Sequence, residues 1–102
     1  MSTSIVIHDE AEAELIAAVE WYEARRRGLG GELLGEVARS IDAVREGFGG
    51  SPYLTTSGGD VSRRVFVDRF PYAIVFVVEA QYVHIMAFAH LRRRPGYWLA
   101  RR

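Results

Sequence analysis

A chain of 102 residues, 49% of them hydrophobic, fits one domain with one modest core spanning residues 1–102. It contains no cysteine, which excludes disulfides, a thiolate nucleophile and thiolate metal ligation. The formal net charge of zero hides a division: residues 1–60 carry five arginines against eleven acids, a balance of −6, while residues 61–102 carry eight arginines against Asp68 and Glu79, a balance of +6. The basic half can present a positive field to an anionic partner although the whole is neutral. Lysine is absent. No apolar run reaches the roughly 18 residues of a membrane span, and Ile5-Val6-Ile7 is too short for the apolar core of a secretory leader. A soluble, cytoplasmic protein is the expectation.

Ser4-Ile5-Val6-Ile7-His8 reads as a short first strand. Asp9 is then placed to cap a helix, with Glu12 as its capping-box partner. Over residues 10–26, Ala11, Leu15, Ala18, Val19 and Tyr22 recur at helical spacing, and Glu10, Glu14 and Glu23 are assigned elsewhere around the helix. Arg25-Arg26-Arg27 suit the negative end of the helix dipole, and Gly28 can end the helix. A second helix over residues 31–47 carries its apolar stripe on Leu33, Leu34, Val37, Ile41, Val44 and Phe48, with Gly47, Gly49 and Gly50 breaking it. The short Gly28–Gly31 connection predicts an antiparallel helix hairpin. Residues 49–60 are rich in Gly, Ser and Thr and read as a loop.

The period then changes to two. Over residues 62–69, Arg64 and Phe66 share one face, and Arg63, Val65 and Val67 the other. Phe70-Pro71 makes a connection, Ala73–Glu79 and Val83–Ala89 are nearly continuous apolar strands, and Glu79-Ala80-Gln81 is a hairpin turn. The order β-α-α-β-β-β implies an α+β domain: an N-terminal strand, then a helix hairpin packed on an antiparallel sheet. Leu15, Val19, Val37, Ile41, Ile74, Phe76 and Ile85 are the expected core.

Residues able to carry chemistry are few. His84 lies within an apolar strand and reads as a strand residue; His8 reads as structural or surface. His90 leaves the last strand directly into Arg92-Arg93-Arg94. No two histidines stand at i, i+2 or i, i+4 beside a carboxylate, so no metal site is expected, and no cofactor is implied. Gly47-Phe48-Gly49-Gly50 follows a helix instead of opening one and is no phosphate loop. Arg63, Arg64, Arg69, Arg92, Arg93 and Arg94 remain. If the strands form a meander, Arg63 and Arg64 can meet the 90–94 segment at one end of the sheet. Guanidinium groups there can hold a phosphodiester and stabilise charge in its cleavage, bind an acidic protein surface, or make an ordinary solvated basic face. Tyr97 and Trp98 can fold back over the core edge or offer a stacking platform for a base.

An ordered set of these residues resembles a known family. It comprises Ala11, Glu14-Leu15 and Trp21-Tyr22-Glu23 in the first helix, and Gly28-Leu29-Gly30 at the bend. It continues with Arg63-Arg64-Val65, Arg69-Phe70-Pro71-Tyr72-Ala73-Ile74-Val75-Phe76, and the ending Ala89-His90-x-Arg92-Arg93-x-Pro95-Gly96-Tyr97-Trp98. The chain resembles, over residues 5–98, the RelE/ParE superfamily of type II toxin–antitoxin toxins, known also as plasmid stabilisation proteins. The resemblance implies the same β-α-α-β-β-β fold. It also implies a bacterial growth-inhibiting toxin, neutralised by a cognate antitoxin in a hetero-oligomer. RelE-like members cut mRNA in the ribosome without a metal; on that reading His90, Arg64, Arg93 and Tyr97 would be catalytic. ParE-like members inhibit DNA gyrase by binding it. Arg63, Arg92, Arg94 and Trp98 are the residues expected to face a partner. The lysines of some RelE-like nucleases have no match here, and His90-x-Arg92 followed by Pro95 resembles the ParE-like ending, which favours the gyrase reading. A non-toxic adaptor of the same fold is a third reading.

Overall fold

The structure, a computed structural model, describes residues 4–47, 53–55 and 61–101. Its elements are β1 (Ser4–Ile7), α1 (Asp9–Arg25), α2 (Leu29–Gly47), β2 (Tyr53–Thr55), β3 (Val61–Phe66), β4 (Tyr72–Glu79) and β5 (Tyr82–His90), followed by a single 3-10 turn at Leu99–Arg101. The five strands form one sheet in the order β1-β5-β4-β3-β2. β2 through β5 pair antiparallel, while β1 lies parallel to β5. The architecture is the expected α+β one, with one difference. β2 lies inside the span expected to be a loop, and the remainder of that span, with Phe48, lies outside the described residues.

The cap of α1 falls one residue earlier than expected. His8 is the cap: its Nδ1 accepts from the Glu10 amide at 3.1 Å, and Asp9 is already helical. Any side-chain acceptor that reaches the first-turn amides can serve as a cap, and imidazole does so here. Asp9, Glu10 and Glu12 then sit in the first turn, where the helix dipole favours them. The helix ends at Arg25, so Arg26 and Arg27 fall in the bend and not in the last turn. Gly28 takes φ +90° there, and the Glu23 carboxylate accepts from the amides of Gly28 and Gly30, both at 3.0 Å. Glu23 thus closes the hairpin by satisfying amides that open α2. A Cβ on Gly30 would stand 2.8 Å from the Val19 carbonyl oxygen, so the two helix backbones approach as closely as only glycine allows.

The main core lies between the helix pair and the sheet. Ala11, Ala18, Leu33, Val37 and Val44 meet Val67, Ile74, Phe76, Val83, Ile85 and Phe88, with Leu15, Val19, Tyr22 and Ile41 packed at its margin. Of the expected core, Val37, Ile74, Phe76 and Ile85 are buried, while Leu15, Val19 and Ile41 are only partly so. Leu34, expected in the buried stripe, is exposed.

A bulge in β5 decides which side chains face the helices. Phe76 pairs with Ile85 and Val75 with Ala87, so Met86 is an extra residue. Strand side chains alternate faces, and one added residue reverses the alternation beyond it. Val83 and Ile85 point to the helix layer; Met86 and Ala87 both join the opposite face; Phe88 returns to the helix layer. The opposite face has its own small core, in which Trp98 packs with Val75, Met86, Ala87 and Ala89.

Opposite charges tie the layers together. In the β3–β4 turn Arg69, at φ +70°, reaches α2, with Nη2 2.6 Å from Glu32 and Nη1 3.5 Å from Glu36. Arg26 closes on Glu32 at 2.9 Å and Arg39 on Glu36 at 2.9 Å. Arg69 is therefore engaged within the fold.

Candidate functional site

Glu14 is the organising residue of the most heavily bonded charged cluster in the described chain; the sequence marks it only within the family resemblance and not as a site residue. It shares a helix face with Ala11 and Ala18, at spacings of three and four, and points at β5. β1 covers the β5 edge only as far as Ile85, where the His8 amide donates to the Ile85 carbonyl at 3.0 Å. Beyond that point, and because the bulge turns them outward, the Met86 carbonyl and the Phe88 amide would face an open edge. Side chains take the place of a neighbouring strand. Glu14 Oε1 accepts from the Phe88 amide at 3.1 Å, and Arg101 Nη1 donates to the Met86 carbonyl at 3.0 Å. Carboxylate and guanidinium then bind each other through two contacts, at 2.8 and 3.1 Å. Placing a buried ion pair along a free edge also discourages pairing with another strand.

Two more groups converge on the same carboxylate. The Tyr97 hydroxyl donates to Glu14 Oε2 at 2.7 Å, and Arg93 Nη1 lies 3.3 Å from it. Arg93 also stacks on the Tyr97 ring, 3.8 Å from its centroid. Burial by itself would raise the pKa of Glu14. The hydrogen bonds from Arg101, Tyr97 and the Phe88 amide outweigh it and hold the carboxyl below its usual range. Burial, reinforced by the bond to Glu14, pushes the Tyr97 phenol well above its usual value.

Between α1 and the end of the sheet opens a cleft of about 430 Å³. α1 contributes Glu14, Ala17, Ala18, Trp21 and Tyr22 to its lining, β4 and β5 contribute Tyr72, Phe88 and His90, and the turn after β5 contributes Arg93. Tyr72 stacks on Phe88 with 4.4 Å between centroids and meets His90 edge-on at 5.2 Å. Trp21 is 51% exposed and carries the Arg25 guanidinium 3.8 Å above its ring. The cleft is thus aromatic within and cationic at its rim, since the one acidic group, Glu14, is neutralised by its partners. Its size is that of a small-ligand or peptide-anchor site.

The residues singled out from sequence fall in three places. Arg64, His90 and Arg93 border one shallow depression of about 60 Å³ on the far side of β5, with Pro95 and Trp98. Tyr97 does not border that depression; its hydroxyl bonds to Glu14 and its ring carries Arg93. His90 Nδ1 accepts from the Arg92 amide at 3.1 Å, which fixes the ring at the start of the turn. Arg63 neighbours Arg64 in β3 and so projects to the opposite face, away from the 90–94 segment. Arg92 and Arg94 are exposed and make no ion pair among the described residues. Trp98 is 5% exposed and belongs to the outer core, so it holds the C-terminal segment against the sheet. Its indole Nε1 is buried without a hydrogen-bond partner among the described residues. No helix among the described residues is long and apolar enough to cross a membrane, and no three His, Asp or Glu side chains there group as metal ligands.

No protein-family model and no curated protein matches the chain. A chain from a solved structure of the chromosomal ParDE TA system from P. aeruginosa is similar to it in fold, with a TM-score of 0.73 and 15% identity over 88% of this chain and 97% of that one. The fold of this chain is ParE-like.

Proposed function

We propose that this chain is the toxin component of a type II toxin–antitoxin system, and that it acts as a binding protein on DNA gyrase until a cognate antitoxin neutralises it. The ParE-like fold supports the first part. The observation that carries the second is the state of Tyr97 and Arg93. A ribonuclease needs an acid–base pair with protons free to move. Here the Tyr97 proton is committed to Glu14, its phenol is made less acidic, and Arg93 is stacked and ion-paired. A distributed contact surface needs none of these groups to be chemically free. The cationic rim and aromatic lining of the cleft suit an antitoxin segment with apolar anchors flanked by acidic residues.

The second reading, a ribosome-dependent mRNA endonuclease, has one observation in its favour: Arg64, His90 and Arg93 border the same depression. The two readings separate when purified protein is added to a gyrase supercoiling assay and, in parallel, to a translation extract. Loss of supercoiling with intact mRNA is the expected result. Codon-phased cuts in mRNA with gyrase unaffected would overturn it. If neither assay responds, the protein is an adaptor without toxicity.

A further inference from the structure

The cleft and the C-terminal segment share residues. Arg93 belongs to the cleft lining, to the depression behind it, and to the cluster on Glu14. Phe88 lines the cleft, and its amide is held by the same carboxylate. Segment 91–101 is otherwise attached by the Leu91 amide on the Pro71 carbonyl, by Trp98, Tyr97 and Leu99 on the outer core, and by Arg101 on Glu14, Glu10 and Met86. Neither Tyr97 nor Arg101 lines the cleft. We propose that residues 91–101 form a releasable strap, locked onto Glu14 by Tyr97 and Arg101, whose closure sets Arg93 against the α1–β5 cleft. Occupancy of the cleft and closure of the strap are therefore linked.

The direction of the linkage follows from the geometry. With the strap closed, the turn that starts at His90 is anchored and Arg93 stands at the cleft. With it open, Arg93 loses its hold on Glu14 and its place at the cleft, while His90 stays in β5 opposite Tyr72. An occupant that packs on Arg93 binds the closed state better and must stabilise it, and a loosened strap must weaken binding to the same degree. The consequence for a protein partner rests on reading the cleft as the antitoxin-facing site. The coupling itself does not, so it is tested on the protein alone.

The chain has two tryptophans, and they report separately: Trp21 lines the cleft and Trp98 anchors the strap. Fluorine NMR of protein labelled with fluorotryptophan gives one signal for each. Tyr97→Phe and Arg101→Ala are expected to shift both signals and to speed exchange of the Phe88 amide by about tenfold or more, as local opening becomes cheaper. Tyr97→Phe removes a single oxygen and keeps the ring, so it reports even if Arg101→Ala disturbs folding. Glu32→Gln, which loosens the Arg69 cluster on α2, is expected to move neither signal. A shift of Trp98 without Trp21 would overturn the coupling, and silence in both would overturn the lock. Equal shifts in Glu32→Gln would show a general loosening in place of a strap. None of these outcomes depends on the gyrase and mRNA assays, so the two proposals fail independently.

Discussion

Replacing Glu14 by alanine should be among the most damaging changes outside the apolar core. The side chain is 16% exposed and its partner Arg101 10%, so the pair lies largely out of water. Removing one member of a buried pair costs about 3–5 kcal/mol, because the other charge is left uncompensated. Arg101 keeps the Met86 carbonyl and Glu10, whereas the Phe88 amide and the Tyr97 hydroxyl lose their acceptor. A loss of about 2–4 kcal/mol is therefore expected for Glu14→Ala. In a domain of this size that lowers the melting temperature by roughly 10–25 °C. Glu14→Gln keeps an acceptor but not the charge, and should lose about 1–2 kcal/mol. Urea denaturation of Glu14→Ala, Arg101→Ala and the double variant gives the coupling directly. The double variant should lose less than the sum of the singles, by about 1–3 kcal/mol. If Glu14→Ala unfolds within about 0.5 kcal/mol of the parent, the cluster is a surface ornament and the reasoning fails.

Acid should destabilise the fold through three carboxyls. Glu14 is held low by the Arg101, Tyr97 and Phe88 bonds that outweigh its burial, Glu32 chiefly by Arg69 and Arg26, and Glu36 chiefly by Arg39. A depressed folded pKa stabilises above the unfolded value and loses that contribution as pH falls through the folded one. Stability should therefore hold above about pH 4.5 and decline below it, with a shallower acid limb in Glu14→Gln; an unchanged limb removes Glu14 from the account. Gly30→Ala drives a methyl toward the Val19 carbonyl oxygen, 2.8 Å away. It should cost about 1–3 kcal/mol in denaturant titration, and a neutral result would mean that the helix pair is not so close. Deleting Met86 leaves Ile85, Ala87 and Phe88 in regular alternation, with Phe88 still in the helix layer, so the variant should keep a cooperative transition followed by circular dichroism. Loss of the transition would show that Met86 is not simply an extra residue in the β5 register. Trp98→Ala empties the outer core and should lose about 3–5 kcal/mol; a loss below about 1 kcal/mol would mean that the ring is not seated there.

The helices and the three long strands were legible because their apolar residues repeat at the period of the element that carries them. What escaped has identifiable causes. Tyr53-Leu54-Thr55 is too short to show a period and stands among glycines and serines that signal a loop. The β5 bulge was invisible because Val83–Ala89 is apolar almost throughout, so neither parity contrasts with the other. His8 was overlooked as a cap because Asp9 beside it is the commoner capping residue. Glu14 was placed away from the buried face, although Ala11 and Ala18 flank it at helical spacing. A carboxylate between two small residues on such a face has room above it for a large cation, and that was the available signal. Its partners lie 74 to 87 residues away, at distances that no local pattern reaches.

The charge division of the sequence takes on a different meaning in the fold. The acids of the first half are concentrated on the helices, and the arginines of the second half on the sheet and its connections. Arg69 crosses to Glu32 and Glu36, and Arg93 and Arg101 cross to Glu14 and Glu10. Much of the apparent +6 is thus spent in holding sheet to helices, and zero net charge reflects complementary layers. Arg64, Arg92 and Arg94 form no ion pair among the described residues; Arg64 borders the depression on the far side of β5, and Arg92 and Arg94 are exposed in the turn that follows His90. An anionic partner attracted to this protein would therefore be drawn to that end of the sheet. Its acidic groups would meet exposed guanidinium groups there before its apolar anchors reached Tyr72 and Phe88. Long-range attraction would then act at the end of β5, the strand whose Phe88 and His90 line the cleft.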